Sequence, residues 1–385
     1  MTIPEPFASR IARLRALLDE SESELLLADH GELMAWITGY TVSETMYRAV
    51  LVGHDAPPWM VLRDLDAPQV SGQGWLADVE GFADWDDPFA AVAASIRHRG
   101  FATARIVVDS ASYSFTVDAQ SRLRAELPAA EFVYRPGFSD RLRAVKDDTE
   151  IDLLRRAADI ADRSMERLRT GVGPGVTVRQ AGALAASSYL ELGADGGHVG
   201  RICLGAGATG FLHAELDDRP LQVGDVLHAE LVPRVKHYSA RIMRPIAVVS
   251  PDGRAPAAVE TLVERLVFHQ DRQIAAMAAG ATAADVDAVL RNALVGEGIR
   301  ERYDNVTGYM LGIYGRTPRA SDFSHTFLPT SDWPLQAGMV FHMYTSAEGI
   351  GVSDTVLVTA HGGERLTRTP RRLLISRERD RTPRD

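Results

Sequence analysis

An acidic residue sits inside an apolar run at VLHAELV (226–232), and that residue, Glu230, is the first candidate for chemistry. The run reads as a strand, Pro233–His237 as a polar turn and Tyr238–Val249 as a return strand, so the stretch predicts a β-hairpin. Side chains alternate along a strand, which puts Glu230 on one face with His228 and Val232. A buried carboxylate without a partner is costly, so Glu230 needs a cation, for which Arg241 is the candidate, or a catalytic task. His213 lies just upstream in the turn-rich loop GATGFLHAELDDRPLQVGD (207–225). Histidine changes protonation near neutral pH, which suits it to proton transfer, although a loop histidine is also a common surface residue.

These residues need elements to hold them. Residues 6–18 carry the helical period through Phe7, Ile11, Leu14, Leu17 and Leu18. Residues 24–29, 47–53, 59–64 and 105–110 read as strands, 31–40 as a short helix and turn, and 88–98 and 116–127 as helices. This alternation predicts a small α/β domain over 1–140. No glycine-rich phosphate loop follows any of these strands. The proline and glycine of RPGF (135–138) mark a boundary. From Lys146, KDDTEIDLLRRAADIADRSM opens a long helix with Asp or Thr as its N-cap. A helix (177–192), a strand near 200–204, the hairpin, helices near 255–278 and 282–297, and strands near 339–345 and 350–359 complete a second domain over 147–367. The arginine-rich tail, 368–385, reads as solvated and partly disordered.

The composition, 385 residues with 45% apolar and 24% charged, is that of a soluble globular chain of two or three domains. A net charge of −10 argues against nucleic acid or an acidic membrane as a partner. The lone cysteine, Cys203, excludes an intrachain disulfide and fits a reducing compartment. With no apolar run of transmembrane length and no signal-type N-terminus, the expected address is the cytoplasm.

In order and spacing the chain resembles the pita-bread family, which includes methionine aminopeptidase, aminopeptidase P, prolidase, creatinase and ectoine hydrolase. The resemblance is carried by Lys146 and Glu150, His213 ahead of Leu221–Asp225, the hairpin, GYMLGI (308–313), GMVFHM (338–343) and IGVSD (350–354). In the N-terminal part it is carried by WITGY (36–40), Met46-Tyr47 and RDLD (63–66). It implies an α/β creatinase-like N-terminal domain and an α+β pita-bread catalytic domain. It also implies a homodimer in which Trp36, Tyr47 and Arg63 help to wall the substrate site. The five positions that bind two metal ions in the family's peptidases fall here on Glu230, Arg241, Tyr309, Tyr344 and Ser353. Only the first is a metal ligand, so no metal and no other cofactor is expected, and the chain resembles the metal-independent members, ectoine hydrolase and creatinase.

What the resemblance implies is a hydrolase cleaving a C–N bond, an amide or cyclic amidine, of a small carboxylate or zwitterion. Glu230 would be nucleophile or base and His213 the acid/base. Tyr309 and Tyr344 would donate hydrogen bonds, with His342 beside them. Arg241 would either pair with Glu230 or clamp a substrate carboxylate. Met243 and Val352 stand where creatinase has glutamates, which argues against a guanidinium substrate held in that way, and the 315–333 segment lacks the tryptophan-and-acid arrangement expected for ectoine itself. A lyase or cyclase on the same residues, a catalytically silent pita-bread binding module and a metal-dependent Xaa-Pro peptidase are the alternatives.

Overall fold

The computed structural model describes residues 3–40, 45–72, 75–207, 210–250, 253–313 and 324–376. Two compact units divide the chain, Met1–Ala144 and Val145–Asp385. The first runs α1 (Phe7–Glu20), β1 (Leu25–Ala28), α2 (Gly31–Thr38), β2 (Ala49–Gly53), β3 (Trp59–Arg63), α3 (Ala67–Gly72), β4 (Val79–Phe82), α4 (Pro88–His98), β5 (Arg105–Val108), α5 (Val117–Glu126), β6 (Glu131–Tyr134) and α6 (Phe138–Leu142). Its mixed sheet has the order β4-β3-β2-β1-β5-β6. Leu26, Val50, Val52 and Trp36 face one core, and Leu25, Leu27, Leu51 and Trp59 face the other. Strands covered on both faces lose the polar-apolar alternation, which is why LLLA reads as a continuous apolar run. The edge strands β4 and β6 were not expected from the sequence. Each has only four residues, VEGF and EFVY, too short a run to stand out as a strand, and each is mostly unburied.

The second unit continues with α7 (Asp148–Gly171), α8 (Val178–Glu191), β7 (Gly196–Leu204), β8 (Val226–Val235), β9 (Tyr238–Ser239), β10 (Ile242–Ala247), α9 (Ala257–Ala275), α10 (Ala283–Gly296), β11 (Gly308–Met310), β12 (Val340–Ala347), β13 (Ile350–Val358), β14 (Gly363–Arg365) and β15 (Leu374–Ile375). Asp147 caps α7 in a reciprocal box with Glu150, each side chain taking the other's backbone N–H. The main sheet path is β11-β12-β13-β10-β8-β7, with β9, β14 and β15 as side partners. Each half of the unit thus supplies a helix pair and then three strands, and the last strands of the halves, β10 and β13, lie side by side. Met243 pairs with Ser353 across this antiparallel joint.

Two expectations change. The first hairpin strand runs on to Val235, and the turn is only Lys236-His237, with φ of 45° and 66°. Such left-handed pairs match the twist of the flanking strands. The tail is ordered through Ser376: β15 pairs with β10, and Arg371 reaches Asp354 from beneath the sheet (3.0 Å). Residues 377–385, and 315–323 of the segment read between 315 and 333, lie outside the described residues. No described helix is long and apolar enough to cross a membrane.

Candidate active site

Ladder register gathers the candidate residues on one face of the second sheet. Glu230 pairs with Met243, Met243 with Ser353 and Ser353 with Tyr344. The adjoining row runs Thr355, His342, Tyr309. Paired residues point to the same side, so a carboxylate, two phenols, an imidazole and two hydroxyls share one surface. Arg241, two residues before Met243, joins them. Its N–H donates to Thr355 Oγ1 (2.8 Å), and that hydroxyl donates back to the Arg241 carbonyl (2.9 Å).

The Arg241 guanidinium donates to the Tyr309 hydroxyl and lies over that ring, 5.3 Å from its centroid. Its Nη1 is 3.9 Å from Glu230 Oε1, a loose ion pair rather than a hydrogen bond. Arg241 thus faces Glu230 while its hydrogen bond goes to a phenol. Its Nε, both ring nitrogens of His342 and the Ser353 hydroxyl are buried without a partner among the described residues. Buried polar atoms are normally paired, so these groups are available to a ligand.

Glu230 is 6% exposed, and its Oε2 accepts the backbone N–H of Arg201 (3.2 Å). A bulge in β7 makes this contact possible, because the register slips between Val199 and Ile202 opposite Glu230. Gly200 is required there: a Cβ at that position would lie 2.5 Å from Glu230 Cγ. Arg201 also donates to the Ala214 carbonyl (3.4 Å), tying the Glu230 neighbourhood to the loop of His213. His213 itself ends the short turn Phe211–His213 and is exposed. The Phe211 ring of that turn packs edge-on against His228, with 4.7 Å between centroids.

Burial sets the protonation of the site. It pushes His228 down to about 4, against a small opposing pull from Glu230. It pushes His342, with Arg241 adding to the effect, well below the usual histidine range. Both rings are neutral at pH 7. Tyr344 is raised, first by burial and with Glu230 contributing, while its hydroxyl accepts from Asn305 Nδ2 (3.1 Å). It stays protonated and can donate.

The N-terminal candidates lie in the first unit, each with partners there. Trp36 is fully buried in that unit's core, with the guanidinium groups of Arg10 and Arg13 over its ring at 5.1 Å. Tyr47 donates to Asp29 (3.1 Å) and stacks on Phe89, and Arg63 spends its fork on the Asp84 carboxylate (2.8 and 2.9 Å). The residues that the sequence reading missed, Arg201, His198 and Asn305, lie in irregular or glycine-rich stretches where no period places a side chain.

A two-unit chain of this topology, a small α/β unit followed by helix pairs on an antiparallel sheet, defines the creatinase-like class of folds. The chain belongs to Metallopeptidase family M24, whose profile matches residues 152–360, and residues 10–145 match the Creatinase/Prolidase N-terminal domain. It is accordingly a hydrolase-family chain. It is 25% identical over 239 residues to an Xaa-Pro dipeptidase of Pyrococcus horikoshii, covering 60% of this chain and 65% of that one. It is 24% identical over 400 residues to the ectoine hydrolase of Halomonas elongata, covering 96% and 97%. An Xaa-Pro dipeptidase structure from Bacillus anthracis superposes with a TM-score of 0.82 at 22% identity, covering 96% and 99%.

The family name implies a metal, and the side chains present do not fit one. The five expected ligand positions hold one carboxylate, a guanidinium, two phenols and a hydroxyl. Arg241 would place a positive charge against the ion. Among the described residues, no group of three or more His, Cys, Asp or Glu is arranged to hold a metal ion.

Proposed function

We propose that this chain hydrolyses a C–N bond, an amide or cyclic amidine, in a small carboxylate or zwitterion, and does so without a metal. The observation that supports this reading is the position of Arg241: it faces Glu230 without a close ion pair and keeps an unpartnered Nε in a buried polar site. Glu230 acts as nucleophile on the carbon, or as base toward water. The Arg241 fork receives a substrate carboxylate, which it matches in shape and charge. Tyr309 and Tyr344 donate to the oxygen or nitrogen that gains negative charge, in a setting where burial strengthens each bond. A histidine supplies the proton to the departing nitrogen, and His213 is the one the family resemblance offers.

The purified protein is expected to contain no stoichiometric Zn, Mn, Fe or Co, and chelators are expected to leave its activity unchanged. Elemental analysis near one metal per chain would sink the metal-independent reading. A library of N-acyl amino acids, cyclic amidines and small amides, screened by mass spectrometry against wild type, identifies the substrate. Turnover of Xaa-Pro dipeptides alone would move the assignment to the peptidases. The same reading keeps a homodimer as the expected assembly, and a fully active monomer in light scattering at micromolar concentration would count against it.

A further inference from the structure

We propose that His198 carries the proton between Glu230 and the departing nitrogen, a role that rests on the hydrolase reading above. His198 pairs with Val232, two residues along β8 from Glu230, and so points to the same face. The opposite face of that stretch belongs to α8: a Cβ on Gly197 would meet the Tyr189 ring at 2.7 Å, and the Tyr189 hydroxyl donates to the His198 carbonyl (3.5 Å). Along β7 the next position on the site face is Gly200, whose missing side chain leaves the space that Glu230 Cγ fills, 2.5 Å from where the Cβ would be. Two strand residues span roughly 7 Å. An imidazole at 198 therefore reaches the Glu230 carboxylate directly or across one intervening molecule, which is the reach that proton transfer needs.

The charged groups facing the ring are Arg201 on its own strand, Glu230 and Arg234 on β8, and Arg241. Burial first, then Arg201 and Arg241, with Arg234 adding to them, hold His198 below the ordinary histidine range, and Glu230 pulls the other way. The resting ring is neutral and able to accept. As water attacks the carbon, Glu230 takes its proton. That proton passes to His198 and on to the nitrogen as the C–N bond breaks, so an amide gives a carboxylic acid and an amine, and a cyclic amidine gives a ring-opened amide with a free amine, with no net gain or loss of protons. Both histidines are exposed; His213 lies in a short turn, whereas the backbone of His198 is fixed by its ladder pairing with Val232.

The test has an arm that needs no substrate. In the full chain labelled at histidine, with the His198 resonance assigned by its loss in His198→Asn, NMR titration is expected to place His198 below 6.5. The value is expected to fall further in Glu230→Gln and to rise in Arg241→Ala. A His198 titration that neither variant moves overturns the proposal. On a substrate from the screen, His198→Ala is expected to lose about 100-fold or more in kcat with little change in KM, and added imidazole to restore part of it. If Glu230→Gln is inactive while His198→Ala turns over at the wild-type rate, this proposal alone falls. If Glu230→Gln keeps the wild-type rate, the hydrolase reading falls with it.

Discussion

Glu230→Gln is expected to lower turnover by about 10²- to 10⁴-fold while the protein stays folded. The amide keeps the shape of the side chain, and its oxygen still accepts the Arg201 N–H that now holds Oε2 at 3.2 Å. What it loses is the charge and lone pair that attack carbon or deprotonate water. Arg241, 3.9 Å away, then faces a neutral group but keeps its Tyr309 partner, so substrate binding through the guanidinium survives. The expected pattern is a fall in kcat with KM nearly unchanged, and a thermal unfolding midpoint within a few degrees of wild type. Wild-type rates in this variant would make the carboxylate structural and the mechanism wrong.

Asp354→Ala is expected to be the most destabilising single change behind the site. Asp354 and Arg244 are both fully buried, with Arg244 Nη2 donating to Asp354 Oδ1 at 2.7 Å. Thr367 donates to the same oxygen (2.8 Å), and Arg371 Nε lies 3.0 Å from the other. Arg244 also donates to the carbonyls of Met243, Ser353, Thr369 and Pro370. Removing the carboxylate leaves a cation buried with no counter-charge, which costs about 3 to 5 kcal/mol. In a unit of this size that lowers the unfolding midpoint by roughly 6 to 20 °C. Asp354→Leu combined with Arg244→Met removes the central pair while Arg371 keeps its Asp271 partner, and it is expected to be milder than Asp354→Ala. If Asp354→Ala unfolds within 2 °C of wild type, the ion pair does not stabilise the fold as argued.

Much of this architecture was legible in the chain, and the limits are physical. The hairpin was readable because a carboxylate inside an apolar run breaks the expected pattern. The long helix from Asp148 was readable because acidic residues and a capping box mark its start. Arg241, Tyr309, Tyr344 and Ser353 have no local signature, and only the family resemblance set them beside Glu230. His198 escaped because GADGGHVG (193–200) looks like a turn, while the structure uses those glycines as a bulged strand that makes room for a neighbour's side chain; Arg201 fell in the strand read near 200–204, but nothing local marks its backbone N–H as a partner of Glu230. Trp36 reads as a site residue in the sequence because WITGY (36–40) matches the family pattern. Its burial depends on strands and helices far from it in sequence, and no single window records them.

The seam between the two halves of the second unit has a consequence for how this chain can change over time. A piece ending near Ser250 holds Glu230 and Arg241 but neither Tyr309 nor Tyr344, and the remainder holds those phenols and Asp354 but not the carboxylate proposed to act on carbon. Besides the rung Met243↔Ser353 and the pairing of β15 with β10, the buried bonds from Arg244 to Asp354 and from Arg241 to Thr355 and Tyr309 keep the halves matched. Selection on the chemistry therefore falls partly on two residues, Arg244 and Asp354, that no substrate ever meets. Drift in either half is tolerated only so far as it leaves that joint intact.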